Sequence, residues 1–339
     1  MQVIACLAGG QMQACNGESV SEDEVRDGVR LTNLDQALFD GAQATKRDLV
    51  DYLDAVRERL LPGLKGRPLS VIRVLRGQQP FMQKNLPKYA PAWLPRVSLW
   101  AESSRREVTY GLCEDRRSLL WFANQRAVEY HPTLVRADAW DSATHLVLDI
   151  DPPVDGPFST AVSAAGLIAH VLAEVGMSGA VKTSGAKGLH VFVPITETPV
   201  SDAAAATRAV AARAERLDPD LATTAFIRED RGGKVFLDPT RVGGATVVAA
   251  YSPRIRPGTP VSFPVAWTDL DDVTPADFTL RNVAARLGGP DPWAELMPAP
   301  QMVAPVLIEE GHRIPVARVQ AMHEGKRRAR ARRAADEGP

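Results

Sequence analysis

The sequence predicts an α/β (α+β) domain. Short apolar runs of strand length, at residues 145–150, 188–194 and 234–238, alternate with longer stretches of helical length at 159–174 and 202–217. Two of those runs stop abruptly at an aspartate followed by proline, as buried strands do at a hard chain reversal. Strands alternating with helices belong to a sheet with helices packed on it. With 339 residues, 45% hydrophobic and 24% charged, the chain has the composition of a globular protein with a sizeable core.

Residues 1–24 mix small, polar and acidic side chains without a period and read as a mobile leader. From 45 to 61 the pattern is helical: Leu49, Tyr52, Leu53, Val56 and Leu60 recur at spacings of three and four, and Pro62 reads as the stop. Residues 68–75 read as a strand and 77–80 as a turn. Residues 119–130 read as a helix, with His131 just beyond it. Ser159 is placed to cap a helix reaching Glu174, with Gly176 past its end. Residues 202–217 are alanine-rich and helical, and 246–251 read as a fourth strand. The expected organisation is a leader at 1–24, one domain at 25–290, and a C-terminal extension at 291–339.

A net charge of -1 gives no global sign of a polyanionic partner, so any nucleic acid must be held by a local basic patch. One such run closes the chain: Lys326, Arg327, Arg328, Arg330, Arg332 and Arg333, either a solvated tail or an electrostatic anchor. Cys6, Cys15 and Cys113 form no C-x-x-C pair, which argues against zinc and for reduced thiols in the cytosol. No apolar run approaches the roughly 20 residues that span a bilayer, and the expected location is cytoplasmic, at the nucleoid.

Asp149-Ile150-Asp151 carries the first chemistry. In a strand, residues i and i+2 share a face, so both carboxylates project together while Ile150 points to the core. Paired carboxylates repel unless a cation lies between them, and divalent ions favour oxygen ligands. A D-x-D can equally be a cap or a solvated turn; the apolar run before it favours the metal reading. Asp238 ends a similar strand. If the two strands are neighbours, three carboxylates converge as in two-metal phosphoryl transfer.

A second element is Thr183-Ser-Gly-Ala-Lys-Gly-Leu-His190. Its glycines allow close approach of backbone to an anion, Lys187 supplies charge, and His190 shares a strand face with Gly188 and Phe192. The spacing is not a P-loop, and a tight turn with an exposed lysine fits it equally. Lys182, Arg231, Arg254 and Arg256 add positive charge nearby. Phe81-Met82 reads as a core pair or as a wedge that stacks on bases, with Lys84 on a phosphate.

Together the segments 31–35, 45–46, 66–68, 81–85, 145–152, 183–191, 234–238 and 250–254 resemble the polymerase domain of bacterial ligase D, in the archaeo-eukaryotic primase superfamily. They keep their order over residues 31 to about 285. The resemblance implies a mixed catalytic sheet flanked by helices, with an accessory β-rich N-terminal portion. It implies two Mn2+ or Mg2+ ions on Asp149, Asp151 and Asp238. It places Ser184, Lys187, His190 and Arg254 on the incoming nucleotide, with His131 near its sugar. Asn33, Lys46, Phe81, Met82, Lys84 and Arg231 would meet DNA. The implied activity is a nucleotidyltransferase of the primase-polymerase type that favours ribonucleotides over deoxyribonucleotides. Its substrate would be gapped or broken DNA with a template strand, in base excision repair or in non-homologous end joining.

Four departures stand out. A family lysine is Gln36, the aromatic pair is Phe81-Met82, a basic pair is reduced to Ile72-Arg73, and Arg241 follows Asp238 where a relative can carry an amide. Gln36 and Met82 tilt the expectation toward gap filling by a stand-alone monomer, with a separate DNA ligase and, in end joining, Ku. Two other classes compete. A binding module without synthesis would bind DNA with the acids removed, and a metal-dependent phosphoesterase would need a general base that is not evident.

Overall fold

In the computed structural model, the described residues are 24–101, 105–242 and 246–316. All but the last residue of the leader expected at 1–24, and the basic run at 326–333, lie outside them.

The described residues open with a ribbon, β1 (Glu24–Arg26) and β2 (Val29–Leu31), followed by helices α1 (Lys46–Ala55) and α2 (Arg57–Leu64). Thr45 caps α1 in a reciprocal box with Asp48. The single helix expected over 45–61 is broken at Val56, and Pro62 lies inside α2 instead of ending it. Proline forfeits one backbone bond there, which burial of Leu60, Leu61 and Leu64 offsets.

Next come β3 (Leu69–Arg73), β4 (Phe81–Gln83), β5 (Arg96–Ala101), β6 (Arg106–Gly111), helix α3 (Arg116–Asn124) and β7 (Ala127–Pro132). The five strands form the accessory β-rich sheet, ordered β4-β3-β6-β5 with β7 also on β3. The helix expected over 119–130 is thereby corrected. It ends at Asn124, Arg126 takes a positive φ of 59°, and the chain returns as β7. His131 therefore sits on a strand.

The larger sheet holds β8 (Ser142–Asp151), β9 (Ala180–Thr183), β10 (Leu189–Pro199), β11 (Ala222–Thr223), β12 (Val235–Asp238) and β13 (Pro264–Val265). Its order is β11-β12-β8-β10-β9-β13; β11 and β12 are parallel and the other pairs antiparallel, so the sheet is mixed as expected. Helices α4 (Phe158–Glu174) and α5 (Val200–Leu217) pack on it. Pro157, not Ser159, stands at the α4 N-cap, with no side-chain cap bond. The fourth strand expected over 246–251 is not formed. Thr246 makes one bridge to Thr133, and Val247 and Ala249 donate backbone bonds to Pro132 and Tyr130, which ties this segment to β7.

Beyond α6 (Pro292–Leu296), the extension returns as α7 (Pro305–Arg313) against α5. Small side chains on α5 permit close helix approach: a Cβ added at Gly311 would lie 1.8 Å from the Ala205 carbonyl oxygen. Arg213 and Arg216 pair with Glu310, and His312 with Asp202, at the rim. Gly311→Ala is expected to cost about 1–3 kcal/mol by overpacking. An unchanged denaturation midpoint would refute that packing.

Candidate active site

One rung crosses the four strands β12, β8, β10 and β9. Asp238 is registered against Asp149, Asp149 against His190, and His190 against Lys182. Side chains directly opposite across adjacent strands share a face, so this rung sets two acids, an imidazole and an amine side by side. Asp151 follows Asp149 by two residues and adds its carboxylate to the same face. Gly188 lets β10 lie this close to β8, because a Cβ there would meet the Ile150 carbonyl oxygen at 1.9 Å.

The acids differ in their surroundings. Asp149 Oδ2 accepts from Arg241 Nε at 3.0 Å and Nη2 at 2.5 Å, and its Oδ1 lies 3.2 Å from His190 Nε2. Asp238 Oδ1 accepts from the Thr240 amide and hydroxyl, and its Oδ2 lies 3.2 Å from Arg241 Nη2. Burial pushes the Asp149 carboxyl up, but His190 and Arg241 outweigh it and hold the group below the usual carboxylate range. Asp151 goes the other way: burial, and then the charge of Asp149, raise it well above that range. Arg241 bridges Asp149 and Asp238, and among the described residues no three His, Cys, Asp or Glu side chains are grouped as a ready-made ion cage.

A cleft of about 240 Å3 opens over the rung, lined by His131, Asp149, Asp151, Ser184, His190, Arg241 and Arg254 among others. Four of the five residues expected at the nucleotide thus meet in one place. The fifth, Lys187, is exposed and donates to the Val154 carbonyl. It borders an adjoining groove of about 360 Å3, which shares Asp151, Ala186 and Arg256 with the cleft and adds Arg228, Arg231 and Lys234. Arg231 stacks 3.7 Å over the Phe236 ring while keeping one face in that groove.

Glu129 was not anticipated. Its Oε2 lies 2.8 Å from His131 Nε2 and 3.1 Å from Arg254 Nε, and its Oε1 accepts from the Ile255 amide at 2.8 Å. Arg254 in turn donates to the Ser184 carbonyl. Burial pushes Glu129 up, but the His131 hydrogen bond and the Arg254 charge win and bring it to about 2. The signal was its place two residues before His131 on one strand face, hidden while that stretch read as helix.

The residues expected on DNA lie apart from the cleft lining. Phe81 and Met82 sit on β4, with Arg73 5.9 Å over the Phe81 ring and Met82 44% exposed. Asn33 is exposed at a positive φ of 54°, and Lys84 is exposed beside β4. Lys46 departs from expectation: it is 3% exposed, and its ammonium donates to the Thr32 carbonyl at 2.5 Å and Asn124 Oδ1 at 2.7 Å. Burial lowers it to about 8, with the charge of Arg126 adding to the effect. It ties the Asn124 side chain at the end of α3 to the Thr32 carbonyl from inside, so its charge is not at the surface. Gln36 instead lines a groove of about 680 Å3 with Arg76 and Arg126.

Comparison with known proteins converges on one description. The family model "LigD, primase-polymerase domain" matches residues 45–293. The chain is 34% identical over 289 residues to the multifunctional non-homologous end joining protein LigD of Mycobacterium bovis, covering 81% of this chain and 38% of that protein. It is 32% identical over 265 residues to the bifunctional non-homologous end joining protein LigD of Bacillus subtilis, covering 76% of this chain and 42% of that protein. The chain thus spans about two fifths of these relatives' length. A solved polymerase domain of Mycobacterium tuberculosis ligase D in complex with DNA superposes with a TM-score of 0.71 at 32% identity. That match covers 78% of this chain and 95% of the solved one.

Proposed function

The chain belongs to the LigD primase-polymerase domain family, and on that premise we propose that it is a metal-dependent nucleotidyltransferase extending a primer 3′ end against a template in gapped or broken DNA. The observation that carries this reading is the rung of carboxylates opening into a cleft lined by phosphate-binding side chains.

The donor set suits a divalent ion. All three acids offer oxygen, and Asp151, raised by burial and by Asp149, has no cation within ion-pair distance among the described residues. Asp149, Asp151 and Asp238 would hold the divalent ions, Mn2+ or Mg2+ and two in number, which would neutralise the triphosphate and make the primer hydroxyl more acidic. Arg241 pairs with the same Asp149 and Asp238 oxygens, so its guanidinium would have to move off them for these acids to hold the ions. It already lines the cleft, where its forked donors suit a phosphate.

The remaining residues bind and orient. Ser184, His190 and Arg254 hold the triphosphate, Lys187 its outer end, and His131 lies at the sugar, where it serves the preference for ribonucleotides. The basic groove with Arg228, Arg231 and Lys234 takes a DNA backbone, and Phe81 with Met82 stacks at the break in the template. With Lys46 buried, the groove at Gln36, Arg76 and Arg126 is the better candidate for the downstream end. Alignment and charge neutralisation do most of the work in such a site.

The relatives' names place those proteins in end joining, whereas Gln36 and Met82 favour filling short gaps, with a separate ligase and, at broken ends, Ku. Primer extension across a short gap, with manganese and with NTPs against dNTPs, tests the activity; no extension with either sugar would sink it. Affinity for gapped duplex is expected to exceed that for 3′-overhang ends, and tighter binding to overhangs would move the role to end joining.

A further inference from the structure

Lys182 occupies the β9 end of the rung and is fully buried. Its Nζ lies 2.8 Å from His190 Nδ1 and donates to Ser262 Oγ at 2.5 Å. The Ser262 hydroxyl proton is already committed to the Thr183 carbonyl at 2.7 Å, so Oγ can only accept from the lysine. At the opposite end of the imidazole, Nε2 faces Asp149 Oδ1 at 3.2 Å.

The two ends together decide where the ring proton sits. An ionised carboxylate accepts only, and Arg241 keeps Asp149 ionised. A bare Nε2 lone pair against that oxygen would be repulsive, so Nε2 carries the proton. The neutral ring then has a bare Nδ1, which needs a donor, and the lysine is that donor whether it is an ammonium or a neutral amine. A methionine would fill the same volume without the cost of burying an amine, which points to use of the donor itself.

We propose that Lys182 is a positioning residue that fixes His190 as its Nε2–H tautomer, so that the ring's one donor, which faces Asp149 in this structure, is available to a phosphate oxygen of the incoming nucleotide in place of that carboxylate. This rests on the nucleotide reading of the cleft for its purpose, although not for its geometry. The device resembles the partner that orients a metal-bound or catalytic histidine by holding its far nitrogen. The rung makes it rigid, because Lys182, His190 and Asp149 stand on three hydrogen-bonded strands. Ser262 extends the row to the segment that also packs on Gly185, where an added Cβ would lie 2.8 Å from the Ser262 amide nitrogen.

The test begins with the unaltered protein. Long-range proton–nitrogen NMR of histidine-labelled chain, with His190 assigned through His190→Gln, should give a bare Nδ1 and a protonated Nε2. A protonated Nδ1 overturns the proposal, whether or not any nucleotide binds. Lys182→Met should then mix the tautomers and weaken NTP binding by about 10–100-fold, the usual cost of losing such a partner. In the His190→Gln background the same change should add nothing, because Lys182 acts through the ring. An equal loss in both backgrounds means a packing role and overturns the proposal. If the unaltered protein binds no nucleotide, the function proposed for the cleft fails, and the NMR result alone decides the role of Lys182.

Discussion

Asp149→Ala is expected to lower single-turnover primer extension by more than about 10^3-fold, the scale on which loss of one preorganised electrostatic group acts and above. Asp149 is the central residue of the rung, flanked by Asp238 and His190 and engaged by Arg241. Its removal takes an oxygen ligand from the ions and leaves Asp151 and Asp238 on either side of the gap. It also frees one side of the His190 ring and strands the Arg241 guanidinium with Asp238 alone. Asp149→Asn keeps the shape and should lose nearly as much, since the charge is what is needed. The basic groove lies outside this change, so affinity for gapped DNA should persist in both variants. Extension within tenfold of the unaltered protein would remove Asp149 from the reaction and redirect attention to a binding-only role.

Glu129→Gln should be the next most severe change. One carboxylate holds both His131 and Arg254, and Arg254 holds the Ser184 carbonyl, so a single charge sets the wall of the cleft. NTP affinity is expected to fall about 10–100-fold, the range for partners that orient binding groups, with DNA affinity unchanged. The effect on stability has a definite sign. A carboxyl brought from 4.5 to about 2 stabilises the fold above its unfolded value, and that contribution disappears as the pH falls from about 4.5 toward 2. Its size is on the order of 3 kcal/mol, at about 1.4 kcal/mol for each tenfold. Denaturation midpoints of the two proteins should therefore differ at pH 7 and converge in acid. A gap that stays constant down to pH 3 would show that the charge on Glu129 is not what stabilises the fold.

Much of the site was legible before any coordinates. Apolar runs that end in acids mark buried strands whose tips carry charge, and the two-residue period places Asp149 and Asp151 on one face. What could not be read was lateral. Nothing in the chain order says that Asp238, Asp149, His190 and Lys182 fall on one rung, because register is fixed by strand pairing between distant segments. Glu129 was lost to a wrong period: Leu119 to Ala123 are helical, the turn at Arg126 uses a non-glycine residue at positive φ, and Val128 and Tyr130 then alternate in β7. The stretch at 246–251 is apolar like a buried strand but forms one bridge, from Thr246 to Thr133 just past β7, and Tyr251 turns it away with φ 65°. Lys46 shows the limit most plainly, since a lysine beside a capping threonine carries no sign that its amine will be enclosed by Thr32 and Asn124.

Helix α7 has a consequence for anyone who grafts this unit into another protein. The match to the family model stops at residue 293, yet Leu307 is fully buried and Gly311 lies directly on the α5 backbone at Ala205. A transplant cut at the family boundary would leave the methyl-studded flank of α5 bare, together with Arg213 and Arg216 deprived of Glu310. Such a flank is narrow, apolar and open to the backbone of any passing helix, which makes it adhesive. The portable module therefore runs through Arg313, and its closing turn of chain serves as the sleeve that keeps copies of the graft from sticking to one another.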